Sequence, residues 1–327
     1  MTLAPFGTLK EAYRVGLAGV ETPMPEWPAA EGPAAYAALV RSWLASVEDA
    51  VWPRWEAGRW VGGAAAGMVD ATREEVALMV RLYHGVHSPD ILDGTPDIPT
   101  EAGQAVRDTR WHYAVEDELF NIGTGVDAVA SDGSGANYVL YDPAVDIDRF
   151  KALWERRFRL QPKIWDLKDH FQRPRPWAAA TALSVGGFRW TTADVEIHTG
   201  IHPSLPSGHC LQGMLGICAV LDAWLGEVEE HGTTPNDARV RLLGQYMVDR
   251  GDRRVFAGVH YMTDNIASWT LARRLIPHLF RHGGKVERFA VEAITRRSRV
   301  FRDVVDHFPA DSPARAMLLD AFPEGAA

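Results

Sequence analysis

Apolar residues in this chain return at every third or fourth position and almost never at every second. Within 34–51 the row Tyr36, Leu39, Val40, Trp43, Leu44 and Val47 marks one face of a helix. Thr72-Arg-Glu-Glu75 has capping-box spacing, which predicts a helix that opens there, runs through Tyr83 and ends near Gly85. Another is predicted from about Glu101 to Phe120, and helical rows continue over 147–167, 209–226, 236–250, 263–281, 284–305 and 311–321. Only Phe188 to Val195 reads as extended. Faces with this period bury against other helices, so the expected fold is an all-α bundle.

Residues 1–33 are rich in Pro and Gly and read as an irregular arm. Gly123 to Asp146 holds several Gly, Asp and Ser residues without a stable period and reads as a long loop. Loops beyond about 12–15 residues in a compact domain are often lids or mobile segments, and a plain linker fits the same composition. The chain therefore divides into an N-terminal helical layer with its loop (1–146) and a helical bundle (147–327), expected to form one compact unit.

Composition narrows the function. With 46% hydrophobic and 24% charged residues, the 327-residue chain suits a packed globule and not a disordered one. A net charge of −9 argues against nucleic acid as a partner. It leaves room for a small anion held by a local cluster of cations. The longest uninterrupted apolar stretch, Gly213 to Leu221, falls short of the roughly 18–20 residues that cross a bilayer, so no membrane span is expected. The opening MTLAPFGTLKEAYR has no secretory pattern, and the expectation is a cytoplasmic protein. Cys210 and Cys218 stand eight residues apart on a predicted helix, about 12 Å along its axis at about 1.5 Å per residue. A disulfide tolerates roughly 7 Å between Cα atoms, so both are expected to be core thiols, as a reducing compartment favours.

Cations and histidines gather beside Gly, Pro and Ser in three blocks. The first is Lys168-Asp-His-Phe-Gln-Arg-Pro-Arg175-Pro176. A helix ending here carries Lys168 on its last turns, and the proline after Arg175 favours an extended Arg175, so the two cations can converge. The second is His202-Pro-Ser-Leu-Pro-Ser207-Gly208-His209, leading into an apolar run. Ser207 stands where an N-cap belongs, and the N–H groups of Gly208 and His209 would face an anion. The third is Arg253-Arg254-Val-Phe-Ala-Gly-Val-His260-Tyr-Met-Thr-Asp264. If that segment is helical, Asp264 can accept the other ring N–H of His260 and fix its tautomer. Alone, each block also fits a solvated face, a turn with a cap, or a satisfied core histidine; their joint occurrence in this order does not.

Together, Lys-x6-Arg-Pro, Pro-Ser-Gly-His and Arg-x5-His-x3-Asp resemble the signature of one superfamily. It unites type-2 phosphatidic-acid phosphatases, bacterial class A acid phosphatases and vanadium-dependent haloperoxidases. Lys168, Arg175, Pro176, Pro206, Ser207, Gly208, His209, Arg254, His260 and Asp264 fill every defining position. Arg253 departs from the pattern, which usually has Ser there. The resemblance spans 165–265, about a third of the chain.

What it implies is a helical bundle of the acid phosphatase/vanadium haloperoxidase type, with an additional N-terminal helical layer. The implied activity is hydrolysis of a small-molecule phosphate monoester through a phosphohistidine. His260 would be the nucleophile, Asp264 its orienter, and His209 the acid and then the base. Lys168, Arg175, Ser207, Gly208 and Arg254 would hold the phosphate, and no metal or other cofactor is implied. The alternative is a vanadium-dependent haloperoxidase that carries vanadate on His260 and oxidises halide with hydrogen peroxide. Trp165, placed as in those peroxidases, and the run HPSLPSGH lean that way; the compact Lys168–His260 spacing and KDHFQRPRPW resemble the phosphatases. A non-phosphatase descendant of the fold and a phosphate-capturing binding module are further readings, and the presence of both histidines weighs against the module.

Trp165, Trp177, His170, Arg173 and His202 are candidates for the pocket mouth or the leaving group, whereas His84, His87 and His112 read as structural. A homodimer through the N-terminal layer is the expectation for assembly.

Overall fold

In the computed structural model the rows of the C-terminal half become helices whose ends follow the residues that cap them. It describes residues 54–56, 59–61, 65–84, 127–129, 135–137, 164, 167–168, 171, 173–188, 203–232, 237–256 and 258–326. A hairpin of β1 (Arg54–Glu56) and β2 (Arg59–Val61) precedes α1 (Ala65–Met79), which runs on as a π-helical turn through Val80–His84. A second hairpin joins β3 (Asp127–Val129) to β4 (Gly135–Asn137) inside the stretch expected to be a long loop. The bundle follows: α2 (Pro176–Ala182), α3 (Gly208–His231), α4 (Asp237–Phe256), α5 (Met262–Leu279), α6 (Gly283–Arg297), α7 (Arg299–His307) and α8 (Pro313–Ala321). Apart from the two hairpins, the described residues are all-α.

Helix α3 is the axis. It packs most extensively on α4 and also against α5 and α6, while α5 packs on α6 and α8. Its buried residues include Cys210, Leu211, Met214, Leu215, Ile217, Cys218, Val220 and Leu221. Burying a side chain of this size contributes about 1.5–3 kcal/mol. On α5, Trp269 is fully buried and tilts against Phe301, 6.3 Å between ring centres, and Phe301 meets Phe322 edge-on at 6.1 Å. Both cysteines are free and buried, and burial pushes each thiol upward. Helix α3 is long and apolar enough to cross a membrane, with 65% of the apolar window buried in the bundle. The run from Gly213 to Leu221 alone does not reveal this, because the apolar character is spread over 24 residues.

Two boundaries differ from the sequence reading. Helix α1 begins at Ala65, so Thr72 and Glu75 lie in its interior. The Glu75 carboxylate accepts from Thr263 and Arg173, partners that a local capping pattern does not disclose. The row over 284–305 breaks at Ser298, whose hydroxyl accepts from Phe301 N at 2.9 Å and donates to buried Asp252 at 2.8 Å. The predicted helices over 34–51 and 101–120, most of 147–167, and the extended piece beyond Phe188 lie outside the described residues. Helix α1 packs on α2, so the described helix of the N-terminal section belongs to the same core.

Candidate active site

Each block reaches the site by a local device. Arg175 is extended (φ −67°, ψ 153°) at the start of α2, with Pro176 in the first helical position, as the proline requires. Ser207 caps α3 from an extended backbone, its hydroxyl accepting from Cys210 N at 3.4 Å. The third block uses a helix end. Helix α4 closes just after Arg254, and Gly258 takes a left-handed φ of 71° that an L side chain resists. The chain folds back so that the N–H groups of Val259 and His260 both donate to Arg254 O at 3.2 Å. The six-residue step from Arg254 to His260 therefore puts the guanidinium and the imidazole on one helix end.

Asp264 reaches His260 without the helical i, i+4 register expected of it. His260 precedes α5, and Asp264 sits in that helix's first turn. Its Oδ2 accepts from Tyr261 N at 3.1 Å and faces His260 Nδ1 at 2.9 Å. Arg175 Nη1 lies 3.0 Å from His260 Nε2. A guanidinium only donates, so Nε2 is the acceptor and the proton is on Nδ1, donated to Asp264. The lone pair on Nε2 thus points toward the cations.

Lys168, Arg175, Arg254, His260 and Asp264 are all 2% exposed or less, and His209 is 8% exposed. Burial, followed by the fields of Arg254, His260, Arg175 and Lys168, holds His209 well below the usual imidazole range. Burial, then Arg175, Lys168 and Arg254, does the same to His260. Arg175 meets His260, Lys168 donates to Pro206 O, and the Ser207 N–H donates to Asp264 O at 3.4 Å, so the structure brings the three blocks together. Lys168 is pushed well below its usual value by burial and by Arg175. The stem of Lys168 runs beside Gly208, where a Cβ would stand 4.0 Å from Lys168 Cε and 3.4 Å from Ile164. Its ammonium donates to the carbonyls of Pro203, Ser204 and Pro206 at 2.7–2.8 Å. Lys168 therefore anchors the buried segment before α3, a role that the expectation of direct anion contact did not include.

Arg173, read as a contact for the leaving group, faces elsewhere. It donates to Asp264 Oδ1 and to Thr263 Oγ1, both at 2.8 Å, and to Glu75 Oε2 at 3.1 Å. Its guanidinium lies 3.5 Å from the centre of the Tyr261 ring. Thr263 carries no motif and Glu75 only a local capping pattern, so their distant partners alone mark their part in the site. A cavity of about 580 Å³ is lined by Glu75, Arg173, Thr263, Arg81, His307 and Phe308 among others, and by neither His209 nor His260. Trp177 is half-buried on α2. Trp165, His170, His202, His87 and His112 lie outside the described residues. The described residues hold no cluster of three His, Cys, Asp or Glu side chains able to grip a metal ion. Comparison of the chain with protein-family models, with curated proteins and with solved structures finds no match.

Proposed function

We propose that the protein hydrolyses phosphate monoesters through a phosphohistidine in this cage. The observation that carries the reading is the meeting of the three blocks at His260: Arg175 stands 3.0 Å from its Nε2, Asp264 holds its Nδ1, its N–H donates to Arg254 O, and Lys168 binds the segment that leads into His209. Three buried cations beside two imidazoles make a site whose charge a tetrahedral dianion complements. Arg175 and Arg254 present planar forks that suit phosphoryl oxygens, while Lys168 adds its buried charge.

The chemistry follows from the tautomer. The lone pair of His260 Nε2 attacks phosphorus, and the bond from phosphorus to the alcohol oxygen breaks. His209 gives its proton to that oxygen, and the alcohol leaves. His209, now neutral, takes a proton from water as the water oxygen attacks the phosphohistidine. The P–N bond breaks, and phosphate and free His260 are returned. Arg175 turns its Nη1 donor from Nε2 to a phosphoryl oxygen during the first step.

The donor set suits orthovanadate as well, because vanadate and phosphate are both tetrahedral oxyanions. On the peroxidase alternative, His260 Nε2 would hold vanadate, which supplies activation of peroxide. The test is direct. His260→Ala is expected to keep its circular dichroism spectrum and to lose more than about 1,000-fold of turnover on p-nitrophenyl phosphate. A folded variant that turns over at the wild-type rate sinks the nucleophile. A wild-type protein that cleaves no ester, yet brominates monochlorodimedone when given vanadate, bromide and peroxide, replaces the phosphatase with the peroxidase.

A further inference from the structure

Resting on the phosphatase reading, we propose that Arg173, braced by Glu75, is the positioning residue that fixes Asp264 and through it the attacking imidazole. Four observations converge on it.

The first is the continuity of the chain of contacts. Glu75 Oε2 meets Arg173 Nη2 at 3.1 Å, Arg173 Nη1 meets Asp264 Oδ1 at 2.8 Å, and Asp264 Oδ2 meets His260 Nδ1 at 2.9 Å. The second is burial. The side chains of Glu75, Arg173 and Asp264 are exposed by 5%, 1% and 0%. Breaking one partner of a pair at this depth leaves a charge stranded, which is strongly disfavoured.

The third is division of labour on the Asp264 carboxylate. Oδ2 serves His260 and the Tyr261 N–H, so Oδ1 is the handle that sets the plane of the group, and Arg173 holds it. The fourth is that Arg173 is itself clamped. The Tyr261 ring covers one face, Thr263 Oγ1 accepts from Nη1, and Glu75 accepts from Nη2. Glu75 is locked in turn by the N–H and hydroxyl of Thr263, both 2.9 Å from Oε1. A carboxylate orienting an imidazole works only as well as its own orientation, and outer partners of this kind typically carry about 10–100-fold in rate.

The experiment compares Arg173→Gln, Arg173→Lys and Glu75→Gln with the wild type by thermal melting, steady-state kinetics on p-nitrophenyl phosphate, and histidine nitrogen NMR. Folded Arg173→Gln is expected to lose about 10–100-fold in kcat with KM changed less than about threefold. Its His260 signal should move from the Nδ1–H tautomer to a mixture. Arg173→Lys keeps a charge without the two-sided fork and is expected to fall between Arg173→Gln and the wild type in both readouts. Glu75→Gln should move both in the same direction by a smaller factor.

Should Arg173→Gln fail to fold, the lysine and glutamine variants at 173 and 75 decide the matter by the same two readouts. Folded variants with an unchanged His260 tautomer and an unchanged kcat overturn the proposal. If the wild type cleaves no phosphate ester, the phosphatase reading fails on its own, and the NMR comparison still settles whether Arg173 sets the imidazole.

Discussion

Burial and neighbouring cations disfavour charge on His209 and His260 in the free protein, yet on the proposed phosphatase mechanism the leaving alcohol needs a proton. A bound dianion supplies the missing condition, because its charge cancels the field of Arg254, Arg175 and Lys168 and lifts both rings and the Lys168 ammonium toward their ordinary values. Binding of vanadate near neutral pH is therefore expected to take up protons. Titration calorimetry in buffers of different ionisation enthalpy should give heats that vary with the buffer, and identical heats would remove this account of how His209 becomes an acid. At this scale much was legible beforehand: the proline after Arg175, the cap at Ser207 and the four-residue step from His260 to Asp264 all act locally. Arg173 was not. Its meaning lies in Asp264 and Glu75, which are 91 and 98 positions away, and no short pattern marks such a pairing.

Helices α3 and α4 meet through small residues. A Cβ at Gly251 would stand 2.8 Å from Cys210 Sγ and 3.0 Å from Asn265 Nδ2, and one at Gly213 would stand 2.7 Å from Arg250 Cβ. Gly251→Ala is therefore expected to destabilise by about 1–3 kcal/mol through overpacking, read as a lower urea midpoint. Because Cys210 follows His209, the same variant should also slow turnover; an unchanged midpoint would mean the helices can part cheaply. Helix existence was plain in the apolar rows, but their ends were less so. The row over 284–305 continues its period straight through Ser298, and only Asp252, on another helix, explains the break. Glu75 has the opposite problem, since a pattern that resembles a cap is consumed by a tertiary pair.

For the molecule as a whole, the site is a junction of segments that are distant in the chain. Glu75 of α1 reaches Thr263 across 188 positions, and Lys168 reaches the loop before α3 across 35–38. An anion that binds only the assembled cage should stabilise the entire bundle, by about 2.7 kcal/mol at one hundred times its dissociation constant. The pH dependence has a definite sign. His209 and His260 titrate below the unfolded value of about 6.5, so the unfolded chain binds more protons as pH falls through that value, and stability drops toward acid. Urea midpoints measured from pH about 7 to about 5 should fall in the free protein and fall less with saturating vanadate. Parallel curves would show that the imidazoles and the anion do not share a site.

The three carbonyls gathered on Lys168 tie shape to charge. An ammonium has one hydrogen for each of them, whereas a neutral amine is one short. Alkaline titration of this lysine would weaken the pull on an anion and loosen the segment before α3 in a single event, so charge and shape would fail together.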